Sequence, residues 1–123
     1  MKKSVEYDCK CVERILRYIR QLKEAQEHFE VNNSDDLVQN DLCLLATAQI
    51  FTNIYETKKN MQESTLDKMP ELGKVNLRIA RNIASHDYES LDLKVVYNQV
   101  IRLLNIKLSN ELEAFINANR PTD

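Results

Sequence analysis

Apolar residues recur at steps of three and four through most of this chain. Val5, Cys9, Val12, Ile15, Leu16, Ile19, Leu22 and Phe29 draw one stripe, and Lys10, Glu13, Arg14, Arg17, Arg20, Lys23, Glu24 and Glu27 fill the remaining surface. That period predicts an amphipathic helix over residues 5–29. Glu13 and Arg17 stand one turn apart in the favourable order. The short polar side chains of Asn32-Asn33-Ser34-Asp35-Asp36 then stop this helix and cap the next. The second helix is expected over residues 36–58. Leu37, Leu42, Leu44, Leu45, Ala46, Ala48, Ile50, Phe51, Ile54 and Tyr55 make it apolar on more than one face, so it is expected to be the most buried element. A polar connection spans residues 60–70. Pro70 suits the first turn of a third helix, with Leu72, Val75, Ile79 and Ile83 in step, ending somewhere in residues 85–90. Asp92 is the expected cap of a fourth helix running to about residue 117 through Val96, Val100, Leu103, Leu104, Leu108, Leu112 and Phe115. The pattern predicts an all-α fold, an up-and-down bundle of four main helices with room for a short extra one, in a single domain over residues 1–123.

Composition narrows the chemistry. One glycine and two prolines in 123 residues exclude a glycine-rich phosphate loop and the dinucleotide fingerprint, and they argue against a turn-rich sandwich or barrel. Seventeen basic residues oppose nineteen acidic ones, a formal charge of −2, so no global basic field coats nucleic acid; a local basic cleft remains open. The longest strongly apolar run, residues 42–46, falls far short of the roughly 20 residues that span a bilayer. No apolar stretch follows Lys2 and Lys3, so the start does not read as a secretory signal. Cys9, Cys11 and Cys43 are an odd number without a C-x-x-C pair, which reads as reduced thiols in a cytosolic protein, with Cys43 a core residue.

The stretch from Arg78 to Tyr88 concentrates the candidate chemistry. It holds Arg78, Arg81, Asn82, Ser85, His86, Asp87 and Tyr88, including one of only two histidines. On a continuous helix Arg78, Arg81, Ser85 and Tyr88 share a face, whereas His86 lies about 140° from Arg81. Convergence on one ligand therefore requires the helix to end or loosen between them, or a second chain to supply the other group. From Lys68 to Asn82 four cations stand against one carboxylate, a local +3 that suits phosphate. The spacing alone also fits a solvated, Arg-rich helix end that complements the helix dipole. His28 sits among Glu24, Glu27 and Glu30 and reads as solvated. Neither His86 nor Asp87 has a second His or Cys at ligand spacing, so no metal site is expected. The Asn32-Asn33-Ser34 sequon is better read as a cap.

Arg81-x4-His86-x-Tyr88, written out as RNIASHDY, resembles the R-x4-H-x-Y signature of the HEPN superfamily. It is most similar to the HepT-like branch, the toxin partners of minimal nucleotidyltransferase (MNT) antitoxins in prokaryotes. Members of that branch carry a proline about eleven residues before the motif arginine and an aspartate four residues after its tyrosine. Pro70 and Asp92 stand at those positions. Two departures are clear. The family's Ile-Gly-Glu in helix two has Ile54-Tyr55-Glu56 as nearest counterpart, with Gln49-Ile50 as a competing register, and the aromatic four residues after the proline is replaced by Lys74.

The resemblance implies a metal-independent endoribonuclease without a cofactor, cytoplasmic, whose motifs from two protomers line one cleft. Cleaving RNA without a metal needs an acid/base near the 2′-hydroxyl and the leaving oxygen, and positive charge on the phosphorane. Histidine titrates near operating pH, at about 6.5 when unperturbed. Arginine is permanently charged and bidentate. Carried onto this chain, His86 is the general acid/base and Arg81 the phosphate clamp, with Asn82 and Asp87 as supporting groups. Arg78 joins them as a phosphate contact on its helical face alone. The resemblance further implies Tyr88 as the acceptor of AMP from the MNT partner, which would place charge and bulk at a phosphate-binding cleft. A non-catalytic HEPN helper that binds a nucleotidyltransferase and presents nucleotide or substrate is the alternative from a different class. The intact Arg81 and His86 favour the enzyme.

Overall fold

Ser4 opens helix α1 (Val5–His28): its hydroxyl accepts from the Tyr7 amide at 3.0 Å, while Glu6 and Asp8 complement the positive end of the dipole. The computed structural model describes residues 4–84 and 92–120, with every side chain among them except those of Asn82 and Ala84. At the other end of α1 the Glu30 amide donates to the Glu27 carbonyl at 3.1 Å and the Val31 amide to the Gln26 carbonyl at 2.8 Å. This paired closure is a Schellman turn, and it places Glu30 at φ 55, a region that favours glycine. Val31 is buried there and anchors the turn on the core.

Asn33 caps the short α2 (Ser34–Val38), its side-chain oxygen accepting from the Asp36 amide at 2.8 Å. Asn40 repeats the device for α3 (Asp41–Lys59), accepting from the Cys43 amide at 2.8 Å. The expected second helix is thus two helices, because Asn40 takes up the orphan amide of a new first turn instead of continuing the old one. Then come α4 (Glu63–Leu66), α5 (Pro70–Gly73), a 3-10 turn over Leu77–Ile79, and α6 (Ala80–Ala84). The chain closes with α7 (Leu93–Leu104) and α8 (Ile106–Asn119), so the expected fourth helix is also broken. Asn105 ends α7 with extended backbone at ψ 134 and caps α8 by accepting from the Lys107 amide at 2.9 Å. Among the described residues every regular element is helical, and no helix is long and apolar enough to cross a membrane.

Helix α1 packs on α3 and α8 and also touches α7, while α6 and the 3-10 turn pack on α3. The core between them contains Val12, Ile15 and Leu22 of α1, Leu44, Phe51 and Ile54 of α3, and Leu103, Leu108 and Leu112 of the last two helices. All three cysteines are buried and free. Burial pushes the Cys43 thiol above its ordinary value, and it does the same for Cys9 and Cys11. Among the four long helices α3 has the largest buried share, eight of its 19 residues against eight of 24 in α1, in line with the expectation, yet it is not buried throughout. Leu42 is 67 % exposed and Leu45 40 %, beside the exposed Val38 of α2.

Two polar ties cross this core. Asp8 is fully buried in α1, and its carboxylate accepts from the Gln62 amide (3.3 Å), the Gln62 Nε2 (2.9 Å) and the Thr65 hydroxyl. A buried carboxylate is tolerated where several donors converge on it, and these fasten α4 to the start of α1. Gln26 donates to the Thr47 hydroxyl at 3.0 Å, which in turn donates to the Cys43 carbonyl at 2.8 Å.

Candidate functional site

The segment leading to the motif is built from short pieces, each held from outside. Pro70 occupies the first turn of α5, where a missing amide costs nothing. The next two amides, of Glu71 and Leu72, donate to the Glu111 carboxylate of α8 at 3.1 and 3.2 Å. A negative charge at a helix start is favourable, and here it also fixes α5 to α8. Lys74 pairs with Glu71 at 3.2 Å. Two residues on, the Asn76 amide donates to the Gln99 side chain of α7 at 2.8 Å, just before the 3-10 turn. Gln99 is buried, so its oxygen has little else to do.

Between and beyond these anchors Leu72, Val75, Leu77, Ile79, Ala80 and Ile83 are buried, whereas Arg78 and Arg81 are exposed. The two arginines are three residues apart across a 3-10 turn running into α6, a spacing that aligns side chains on one side. No carboxylate among the described residues forms an ion pair with either guanidinium. The expected continuous third helix is instead α5, a 3-10 turn and α6, with Lys74, Val75 and Asn76 interrupting it after α5. The backbone of Asn82 lies in α6. His86, Asp87 and Tyr88 lie outside the described residues, so the geometry covers the arginine half of the candidate site and not the histidine half.

Chemically, two exposed guanidiniums on a fixed backbone can bind phosphate oxygens, each offering planar, bidentate donors. The elements that fix them are not visible as functional positions in the sequence. Glu111 and Gln99 sit inside an ordinary helical pattern, and nothing in their spacing points to a segment 40 and 23 residues away. His28 is exposed, with its ring edge-on to Phe29 at 4.8 Å between centroids, as a surface histidine at a helix end would be. A cavity of about 420 Å³ lies beside Gly73, bordered by Lys58, Glu63 and Asp67, and burial lowers the pKa of the Lys58 ammonium.

Comparison with protein-family models, curated proteins and solved structures gives no match in any of the three.

Proposed function

We propose that the chain is a HepT-like toxin of the HEPN superfamily: a metal-independent endoribonuclease acting at the cleft of a homodimer and neutralised by an MNT-type nucleotidyltransferase. The observation that carries this reading is the Arg81-x4-His86-x-Tyr88 motif, with Pro70 and Asp92 at the family's flanking positions. In support, Arg81 and Arg78 are exposed on a segment whose backbone is fastened by Glu111 and Gln99. The four longest helices, α1, α3, α7 and α8, would form the HEPN-like bundle. Exposed Val38, Leu42 and Leu45 would give the second copy an apolar surface on α2 and α3, the latter also the support of α6.

In this mechanism Arg81, assisted by Arg78, clamps the scissile phosphate and stabilises the charge that builds on the phosphorane. His86 of one protomer takes the 2′-hydroxyl proton, and that of the other returns a proton to the leaving 5′-oxygen. A two-fold dimer supplies both copies from a chain with one motif histidine. AMP on Tyr88 would block the cleft by charge and bulk.

The test is cleavage of RNA by the purified protein in EDTA, followed by His86→Ala and Arg81→Ala. Cleavage by wild type, with activity at least about a hundredfold lower in both variants at unchanged helical content, is the expected result. Absence of cleavage, with wild type and His86→Ala indistinguishable in vitro and in growth, overturns the ribonuclease reading and favours the non-catalytic helper. Tyr88→Phe should escape AMP transfer by the partner enzyme, and labelling of that variant would move the acceptor elsewhere.

A further inference from the structure

A second basic feature lies on other elements. Between Lys10 and Lys23, helix α1 carries Lys10, Arg14, Arg17, Arg20 and Lys23 against the single carboxylate of Glu13, within a chain of net charge −2. All five cations are exposed. At 100° per residue Lys10, Arg14, Arg17 and Arg20 fall within an arc of about 120° and extend along about 15 Å of the helix axis. The apolar stripe of α1 requires none of these charges, and alternation of sign would have served solubility equally well.

This face borders a groove of about 470 Å³ between α1 and α8. Arg17 and Arg20 of α1 line one wall, and Arg120 stands just past the end of α8. Leu16 and Ile116 supply an apolar floor, and an adjoining hollow of about 320 Å³ continues past Arg20 towards Ser109. Two carboxylates also line the groove. Glu13 lies 3.8 Å from Arg120, a contact that holds this arginine at the rim, and Glu113 faces in from α8. Among the described residues Arg17 and Arg20 form no ion pair, so their guanidiniums remain open to an anion. The groove is separate from the arginines of the candidate site, since α6 packs on α3 and the 3-10 turn rather than along the α1–α8 seam.

We infer that the α1–α8 groove binds the backbone of single-stranded RNA, with phosphates on Arg17, Arg20 and Arg120 and a base against Leu16 and Ile116. The linear array of cations selects an extended polyanion over a small one, because an isolated phosphate would engage only part of it. An apolar floor between guanidiniums suits the alternation of base and phosphate better than it suits an acidic peptide. The groove would then extend the RNA-binding surface of the proposed ribonuclease site, without taking part in the chemistry.

The test uses a fluorescein-labelled 2′-O-methyl uridine 20-mer, which lacks the nucleophile for cleavage, and anisotropy over a range of salt concentrations. Wild type is expected to bind with a strong salt dependence. The triple variant Arg17→Gln/Arg20→Gln/Arg120→Gln is expected to bind at least about tenfold more weakly, with a salt slope shallower by about 2, roughly 0.7 for each phosphate no longer neutralised. Ultraviolet cross-linking of the wild-type protein, which needs no variant to fold, should mark peptides of α1 and α8. Unchanged affinity and slope in the folded triple variant, or cross-links confined to other elements, would overturn the proposal. So would binding of poly-glutamate with none of RNA, which would assign the groove to an acidic protein surface. Cleavage of unmodified RNA by wild type and His86→Ala scores the ribonuclease reading separately, so either idea can fail alone.

Discussion

Helices α1 and α3 and the broken segment from α5 to α6 are held together by different means. In the first region the helices are long, and their capping groups lie within a few residues: Ser4, Asn40 and the turn at Glu30. In the second, α5 and the 3-10 turn span four and three residues, and the amides of Glu71, Leu72 and Asn76 donate to side chains of α8 and α7. Isolated helices that short do not persist in water, so their geometry is a property of the neighbours. Long helices supply the stable frame, and a borrowed scaffold holds Arg78 and Arg81 outward at a fixed spacing. A segment built this way is as stiff as its anchors.

The contrast can be tested in several places. The largest expected effect is kinetic. Cys9, Cys11 and Cys43, all in α1 and α3, are buried, so native thiols should alkylate orders of magnitude more slowly than in denaturant, at a rate set by opening of the frame. Because burial raises their pKa values above the ordinary 9.0, they add to stability below about pH 9. That contribution fades as the pH climbs through the raised values, and urea melts above about pH 9 should show it. Rapid alkylation at neutral pH would mean that the frame opens locally.

Asp8→Ala comes next. It removes the acceptor of three buried or half-buried donors and should cost about 3 kcal/mol in urea denaturation, with Asp8→Asn recovering part of the loss. A loss near zero would show that α4 docks without this tie. Glu111→Ala should cost less, about 1 kcal/mol, yet act more locally. Exchange protection of the Glu71 and Leu72 amides should fall while amides in the middle of α1 keep theirs. Equal loss in both regions would erase the distinction between frame and borrowed scaffold.

Smallest are two backbone changes. Glu30→Gly should stabilise by about 0.5–1 kcal/mol, because glycine accepts φ 55 without strain. Gly73→Ala should be neutral or stabilising by about 0.5 kcal/mol, since an added Cβ meets nothing within 4 Å and the residue is helical with no positive φ. Melting temperatures in paired samples resolve both. A destabilised Gly73→Ala would show that the break after α5 needs glycine's freedom.

Much of the frame is legible in the chain itself. The apolar stripe of α1, the cap role of the Asn32–Asp36 stretch, Pro70 at a helix start and Asp92 as a cap all correspond to observed elements. The breaks at Asn40 and Asn105 are not. Apolar residues keep helical spacing across both, and an asparagine inside such a pattern reads as a surface position. Whether its side chain caps a new helix depends on how the flanking helices pack, as at Asn105, where Leu103 and Leu108 are both fully buried. Leu42 and Leu45 read as interior positions because their hydrophobicity is evident in the sequence while the direction of each face is not.

For the candidate site, the residue types and their order come from the chain: Arg81-x4-His86-x-Tyr88 is a statement of spacing, and periodic apolar residues dictate helices wherever they occur. Tertiary structure decided which cations are held outward, where the helices stop, and that the α1 arginines border a groove with Arg120. The physical reason is range. Periodicity and capping act within a few residues, whereas Glu111 on α5, Gln99 on Asn76 and Asp8 on Gln62 join groups 23 to 54 positions apart in sequence.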